Sequence, residues 1–212
     1  MTSSELSGQI ARQLLKIKAV KLSVVNPFTW ASGMRSPIYC DNRIVLSHPE
    51  ARNMVKNGFV QMALAFGGFD VVAGVATAGI PHGALLADAL NLPFVYVRDK
   101  PKSHGRQNQI EGELQPGQSV LVIEDLISTG GSSMKAIDAL QEAGATVVGI
   151  LAIFTYGFQE ASDLFERRNI PMQTLADYDR LLQEALDLNY ISTSDLESLK
   201  IWRRDPKNWF TT

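Results

Sequence analysis

Cysteine is almost absent from this chain: among 212 residues only Cys40 is present. A lone thiol excludes an intrachain disulfide and a thiolate-rich metal site, and it fits a reducing cytoplasm. Its simplest role is inert packing. Long apolar runs are missing too, since none approaches the roughly 18 residues that a bilayer-spanning helix needs. Met1-Thr2-Ser3-Ser4-Glu5 lacks the basic-then-apolar order of a leader, so the expectation is an untargeted cytoplasmic protein with no membrane partner. Excess charge of either sign is also lacking, with a formal net charge of −2. That argues against a general nucleic-acid surface and points any phosphate binding to a local site. His48 and His82 have no ligand partner in the sequence and are assigned to surface or structure. Neither a Gly-Lys-Ser/Thr phosphate loop nor a Gly-x-Gly-x-x-Gly fingerprint occurs, so nucleotide hydrolysis and nicotinamide chemistry both lose ground.

What is present suits one compact core. Hydrophobic residues make up 45% and charged residues 20% of the chain, which predicts folding without a disulfide scaffold. The length fits a single α/β domain over residues 1–212: an N-terminal helix and hood (1–45), a core (46–175) and C-terminal helices (176–212). Ile10, Leu14 and Ile17 form the apolar stripe of a helix over residues 4–17. Residues 24–43, broken by Asn26-Pro27, Ser32-Gly33 and Ser36-Pro37, predict short strands or ordered loops. Ser47-His48-Pro49-Glu50 has the form of a capping box opening a helix that runs to Phe66.

Short β-branched runs follow at residues 71–75, 93–97, 120–123 and 147–154, separated by helical stretches at 79–90 and 134–143, the latter stopped by Gly144. This alternation predicts an open, mostly parallel sheet flanked by helices, with ligands at the carboxyl ends of its strands. A helix is expected over 176–188 and another capped by Ser194 and Glu197, the terminal helices forming a small cap beside the sheet. Trp202 and Trp209 are expected to dock against the body.

One segment carries chemistry. The apolar run Val120-Leu121-Val122-Ile123 leads directly into Glu124-Asp125, two adjacent carboxylates at the end of a buried strand. Such a pair needs hydroxyl donors or a cation, and a ribose diol or magnesium supplies them. Ser128-Thr129-Gly130-Gly131-Ser132-Ser133 follows, where glycines allow close approach and amides and hydroxyls can surround a phosphate at a helix start. A plain turn with solvated acids and capping serines explains either feature alone; their conjunction favours a sugar-phosphate cradle.

The stretch from Val120 to Ser132 resembles the signature of type I phosphoribosyltransferases, which use phosphoribosyl pyrophosphate (PRPP). The resemblance implies that Glu124 and Asp125 hold the ribose hydroxyls, with Asp125 also assisting the anomeric centre. It implies that Leu126, Ile127, Ser128, Thr129, Gly130, Gly131 and Ser132 line the PRPP site around its 5-phosphate. A second stretch, from Phe28-Thr29-Trp30 through Cys40-Asp41-Asn42-Arg43, is similar to the N-terminal motif of the orotate branch, although Phe28 and Tyr39 read better as packing residues. A third, Arg98-Asp99-Lys100-Pro101-Lys102-Ser103-His104, is similar to the mobile catalytic loop of orotate phosphoribosyltransferases. It implies that Arg98, Lys102 and His104 meet the pyrophosphate, that Lys102, His104 and Asp125 are the catalytic set, and that the protein is a homodimer with shared sites. Val75-Ala76-Thr77-Ala78-Gly79-Ile80-Pro81 resembles the family's pyrophosphate-receiving loop.

The chain also departs from the family pattern. Ala31 and Ala78 stand where lysine is frequent, Tyr156 where arginine is frequent, and Asp99 where a basic residue is frequent. Ser128 and the backbone remain the candidates for meeting orotate. The implied activity is transfer of ribose 5-phosphate from PRPP to orotate, giving orotidine 5-monophosphate and pyrophosphate for pyrimidine synthesis, with Mg2+ carried mainly by PRPP and no dedicated protein ligand. The rivals are a purine or uracil transferase of the same fold and a PRPP-sensing regulator, which would bring a basic face or a DNA-binding domain.

Overall fold

The structure is a computed structural model that describes residues 2–30, 32–99 and 109–209; Ala31, Lys102 and His104 lie outside the described residues. Helix α1 (Ser3–Lys16) opens with a reciprocal cap, in which the Glu5 amide donates to Thr2 Oγ1 (3.2 Å) and the Thr2 amide to Glu5 Oε2 (2.8 Å). Ile10 and Leu14 are buried as their spacing predicts, while Ile17 is the C-cap. Two small antiparallel pairs follow. Strand β1 (Val20–Leu22) joins β4 (Ile38–Cys40), and β2 (Phe28–Thr29) joins β3 (Arg35–Ser36). Together they form the hood.

After a 3-10 turn (Asn42–Ser47) comes α2 (Pro49–Ala63), extended by a second 3-10 turn (Leu64–Phe66). The Ser47–Glu50 capping box does not form. Ser47 is consumed by the preceding 3-10 turn, His48 becomes the N-cap without a side-chain bond, and Pro49 starts the helix at a position where it needs no amide partner.

The main sheet comprises β5 (Val71–Val75), β6 (Phe94–Val97), β7 (Ile110–Glu111), β8 (Ser119–Ile127), β9 (Thr146–Thr155) and β10 (Met172–Asp177), in the order β10-β9-β8-β5-β6-β7. All neighbours run parallel except β7, which returns antiparallel to β6 at the edge. Helices α3 (Gly79–Leu90), α4 (Gly131–Glu142) and α5 (Gln159–Arg167) cross between strands, and α6 (Tyr178–Asp187) and α7 (Thr193–Arg204) close the chain.

Alternation along the strands divides the interior between the two sheet faces. Leu121, Ile123, Leu151 and Ile153 join the core beneath α1, α2 and α6, while Val120, Val122, Ile150 and Ala152 join the core beneath α4 and α5. Each fully buried Leu or Ile contributes about 2 kcal/mol through removal from water. Glu184, buried on α6, is paired with Arg12 of α1 and, at 2.7 Å, with Arg180, which ties the first helix to the last section of the chain.

Three boundaries differ from expectation. The strand expected to stop at residue 123 continues through the two carboxylates to Ile127, because β9 goes on pairing with it through Ile127↔Thr155. Helix α4 therefore begins at Gly131 rather than 134. The helix expected from Ala176 begins at Tyr178, since the preceding residues extend the sheet as β10 and Asp177 is the N-cap, accepting from the Arg180 amide at 2.8 Å. The last capping box uses Ser192 and Asp195, not Ser194 and Glu197. In that register Ile191 and Leu196 occupy the two positions of a hydrophobic staple, and both belong to the core. Trp202 is fully buried and Trp209 packs against the same core, as expected of docked residues.

Candidate active site

Strand order places the site. The chain leaves β5 toward β6 and returns to its other side with β8, so the crevice between the carboxyl ends of β5 and β8 is the topological switch point where open α/β sheets bind ligands. The 75–79 connection and the 127–131 connection flank it. The Ala76–Thr77 peptide in the first of these is cis. Gly79 permits the close approach: a Cβ there would stand 2.5 Å from the Ile123 carbonyl oxygen.

Glu124 is buried, with only 5% of its surface exposed, and Asp125 is half-buried beside it. Ser133 at the start of α4 donates its hydroxyl to Glu124 Oε2 at 3.2 Å, and the Asp125 amide donates to Glu124 Oε1 at 3.0 Å. Burial raises the pKa of both carboxyls; for Glu124 the negative charge of Asp125 adds to the effect. A pair held in this way accepts hydroxyl donors or a cation readily, because either relieves the cost of ionising it. The Asn42 side-chain amide donates to the Asp125 carbonyl at 2.7 Å, fastening the end of the hood to the strand. Asn42 belongs to the hood stretch that resembles the orotate branch, but nothing in its local sequence signals this contact, which spans 83 positions of the chain.

The loop residues divide. Ile127 is fully buried and its carbonyl already accepts from Thr155 Oγ1 (3.0 Å) and the Tyr156 amide (3.3 Å), so it holds the frame. Leu126 packs partly against the core. Gly130 adopts φ +81°, the left-handed turn that ends the loop and starts α4. Ser128 and Thr129 face a cleft of about 560 Å³ beneath Trp30 and Met34 of the hood. Ser132 lies on the other side, lining a narrow crevice with Ala76 and Arg98. Arg98 stands at the base of the long loop, where its amide donates to the Gln109 carbonyl at 2.8 Å and its guanidinium pairs with Glu111 at 3.4 Å. The crevice thus gathers three segments singled out separately in the sequence.

Over the cleft sits an aromatic cluster. Trp30 stacks on Tyr156 at 5.2 Å and meets Trp202 edge-on at 5.9 Å, while its indole donates to the Ile38 carbonyl at 3.0 Å. Tyr156 is therefore a buried packing residue, not a polar arm reaching into the cleft. Phe28 and Tyr39 pack on each other at 5.7 Å. Burial pushes the Cys40 thiol above its ordinary range, which fits a packing role. His82 is buried against Phe59, and burial lowers its pKa to about 4; His48 is exposed.

No group of three or more His, Cys, Asp or Glu side chains among the described residues could hold a metal. Glu124 and Asp125 offer two carboxylates, enough to share an ion that a polyphosphate ligand already carries. Sequence reasoning missed the cleft's outer wall, made by the end of α7 and the turn after it with Arg203, Arg204 and Lys207. A basic run, Arg203-Arg204, was its sole local signal.

Residues 47–174 match the phosphoribosyl transferase domain family, in keeping with a sheet whose switch point carries this carboxylate pair and glycine loop. The class is therefore phosphoribosyl transferase. An orotate phosphoribosyltransferase of Listeria monocytogenes serotype 4b is 55% identical over 205 residues, spanning 96% of this chain and 98% of that protein. The orotate phosphoribosyltransferase structure from Aeropyrum pernix superposes with a TM-score of 0.75 at 30% identity, over 86% of this chain and 99% of that one. A Mycobacterium tuberculosis orotate phosphoribosyltransferase in complex with PRPP superposes with a TM-score of 0.62 at 25% identity, over 84% and 98% of the two chains. The chain belongs to the orotate phosphoribosyltransferase family.

Proposed function

We propose that the chain transfers the 5-phosphoribosyl group of PRPP to the ring nitrogen of orotate, releasing pyrophosphate and forming orotidine 5-monophosphate in pyrimidine biosynthesis. The observation that carries this reading is the buried Glu124–Asp125 pair at the end of β8, leading directly into the glycine loop at the start of α4. Glu124 and Asp125 accept the ribose hydroxyls. The loop amides and hydroxyls of Ser128, Thr129, Gly130, Gly131 and Ser132 surround the 5-phosphate at the helix start. Asp125 stabilises the positive charge that grows at the anomeric carbon as the pyrophosphate bond breaks. No enzyme nucleophile is required, because orotate itself attacks the carbon.

Arg98 and the family-implied Lys102 and His104 counter the charge of the leaving pyrophosphate. Magnesium, carried mainly by PRPP, supplies further neutralisation when bound. The family likeness also supports a homodimer whose loops complete each other's sites, and sedimentation at the mass of one chain would remove that part of the reading. A lone cysteine supports a cytoplasmic setting, and among the described residues no helix is long and apolar enough to cross a membrane.

The deciding experiment is base-dependent pyrophosphate release from PRPP, with orotate compared against adenine, guanine, hypoxanthine and uracil, with and without magnesium. Orotate turnover is expected to exceed that of every other base and to fall when magnesium is removed. Orotate turnover no better than that of the purines would overturn the assignment.

A further inference from the structure

The cleft under the hood poses a charge problem, which rests on the reading of orotate as the acceptor. Orotate is a flat ring bearing a carboxylate, and a carboxylate leaving water needs a cation or several donors. Position 31 is alanine, Ala78 precedes α3 with no charged side chain, and Tyr156 is locked in the aromatic cluster. The hood and sheet therefore supply no cation at these positions.

The C-terminal wall does supply cations. Arg203, Arg204 and Lys207 line the same cleft as Trp30, Ser128 and Thr129. Arg203 Nη1 would lie 3.6 Å from a Cβ added at Gly157, which brings a guanidinium beside the residue that follows Tyr156. It is fixed there by Asp179, at 2.6 Å, and by the Tyr178 ring, whose centroid lies 5.7 Å away. Arg204 and Lys207 are exposed and have no hydrogen-bond or ion-pair partner among the described residues. The cleft also holds Glu160 and Asp205, but Asp205 is occupied by the Asn208 amide at 3.1 and 2.9 Å.

We propose that Arg204 and Lys207, backed by the immobilised Arg203, form the subsite for the carboxylate of the acceptor base. The charge absent from positions 31, 78 and 156 is thus provided by the end of α7. A blander role exists for the arginines, since cations in the last turn of a helix offset its dipole. That role affects stability and leaves the choice between bases unmoved.

The test compares the wild-type enzyme with Arg204→Ala/Lys207→Ala and with the charge-keeping Arg204→Lys/Lys207→Arg, measuring KM for orotate and for PRPP, Ki for uracil as a competing base, and thermal unfolding. Uracil shares the ring and lacks the carboxylate. Loss of charged hydrogen bonds should raise KM for orotate about tenfold or more in the alanine double variant. KM for PRPP and Ki for uracil should change far less, and the charge-keeping variant should regain most of the orotate affinity. An unchanged orotate KM, or equal losses for orotate and uracil, overturns the subsite. A wild-type enzyme that prefers another base refutes the acceptor assignment itself, a result obtained before any variant is compared.

Discussion

The two halves of the cleft are built from different materials. On the proposed ribose-phosphate side the groups belong to the core: Glu124 lies on a central strand, Ser133 is buried on α4 against it, and Gly79 brings the opposite loop against β8. On the proposed base side the surfaces are side chains from separate parts of the chain, with Trp30 from the hood, Tyr156 from the connection after β9 and Arg203, Arg204 and Lys207 from the C-terminal wall. The first half is fixed by backbone geometry, which few substitutions leave intact. The second half consists of replaceable side chains, so in the proposed subsite the cations come from α7 and the turn after it, Tyr156 carrying none.

The largest effect should come from placing the same methyl group in each half. In Gly79→Ala the new Cβ meets the Ile123 carbonyl oxygen at 2.5 Å and Glu124 Cα at 3.3 Å, both backbone atoms of a buried strand that cannot rotate aside. Helix α3 must move off β8, at a cost of about 3 kcal/mol or more, and PRPP affinity should fall with it. Gly33 in the hood has φ +84° and nothing within 4 Å of its added Cβ, so Gly33→Ala meets only the left-handed strain of about 1 kcal/mol. Denaturant unfolding of both variants measures the contrast, and equal losses would break it.

The same contrast explains what the sequence made legible. Strands β5, β6 and β9 and helix α3 were readable because continuous β-branched runs and periodic apolar positions report burial directly. The carboxylate pair and glycine loop are readable as one segment because their residues are consecutive, from Glu124 to Ser133. Strand β10 is not legible because Met172-Gln173-Thr174 is half-exposed at the sheet edge and carries a mixed polar pattern, and α5 is not legible because it is short and mostly polar. The outer wall was illegible for another reason: Trp30 and Arg203 become neighbours only through the burial of Trp202, a contact across most of the chain. The α7 capping box falls on Ser192 instead of Ser194 because a hydroxyl followed three residues later by an acid occurs in overlapping registers, whereas at α2 no box forms, since the 3-10 turn takes up Ser47 and His48 becomes the N-cap.

A smaller and opposite effect is expected at Glu124, where burying a carboxylate costs stability. Burial and the nearby Asp125 charge raise the Glu124 pKa in the folded state, so the folded protein keeps a proton that the unfolded chain loses above the ordinary carboxylate range. Below that range both states are protonated and the group contributes nothing to the pH dependence. As pH rises through it, unfolding releases a proton and stability falls, continuing until the folded carboxyl ionises as well. Asp125 shifts in the same direction. Glu124→Gln removes the ionisation; its single oxygen keeps the bond from the Asp125 amide, and its NH2 donates to the Ser133 hydroxyl, which turns from donor to acceptor. The ligand-free variant should therefore be more stable than the wild type by about 2 kcal/mol near neutral pH, with the advantage shrinking toward zero in acid. KM for PRPP should rise, since a neutral amide accepts a ribose hydroxyl more weakly than a carboxylate does. Urea unfolding across pH 4 to 8 with parallel PRPP kinetics reads both effects. A variant less stable than wild type at neutral pH would mean that the pair is already compensated in the free protein, and the ribose half would then be no more strained than the base half.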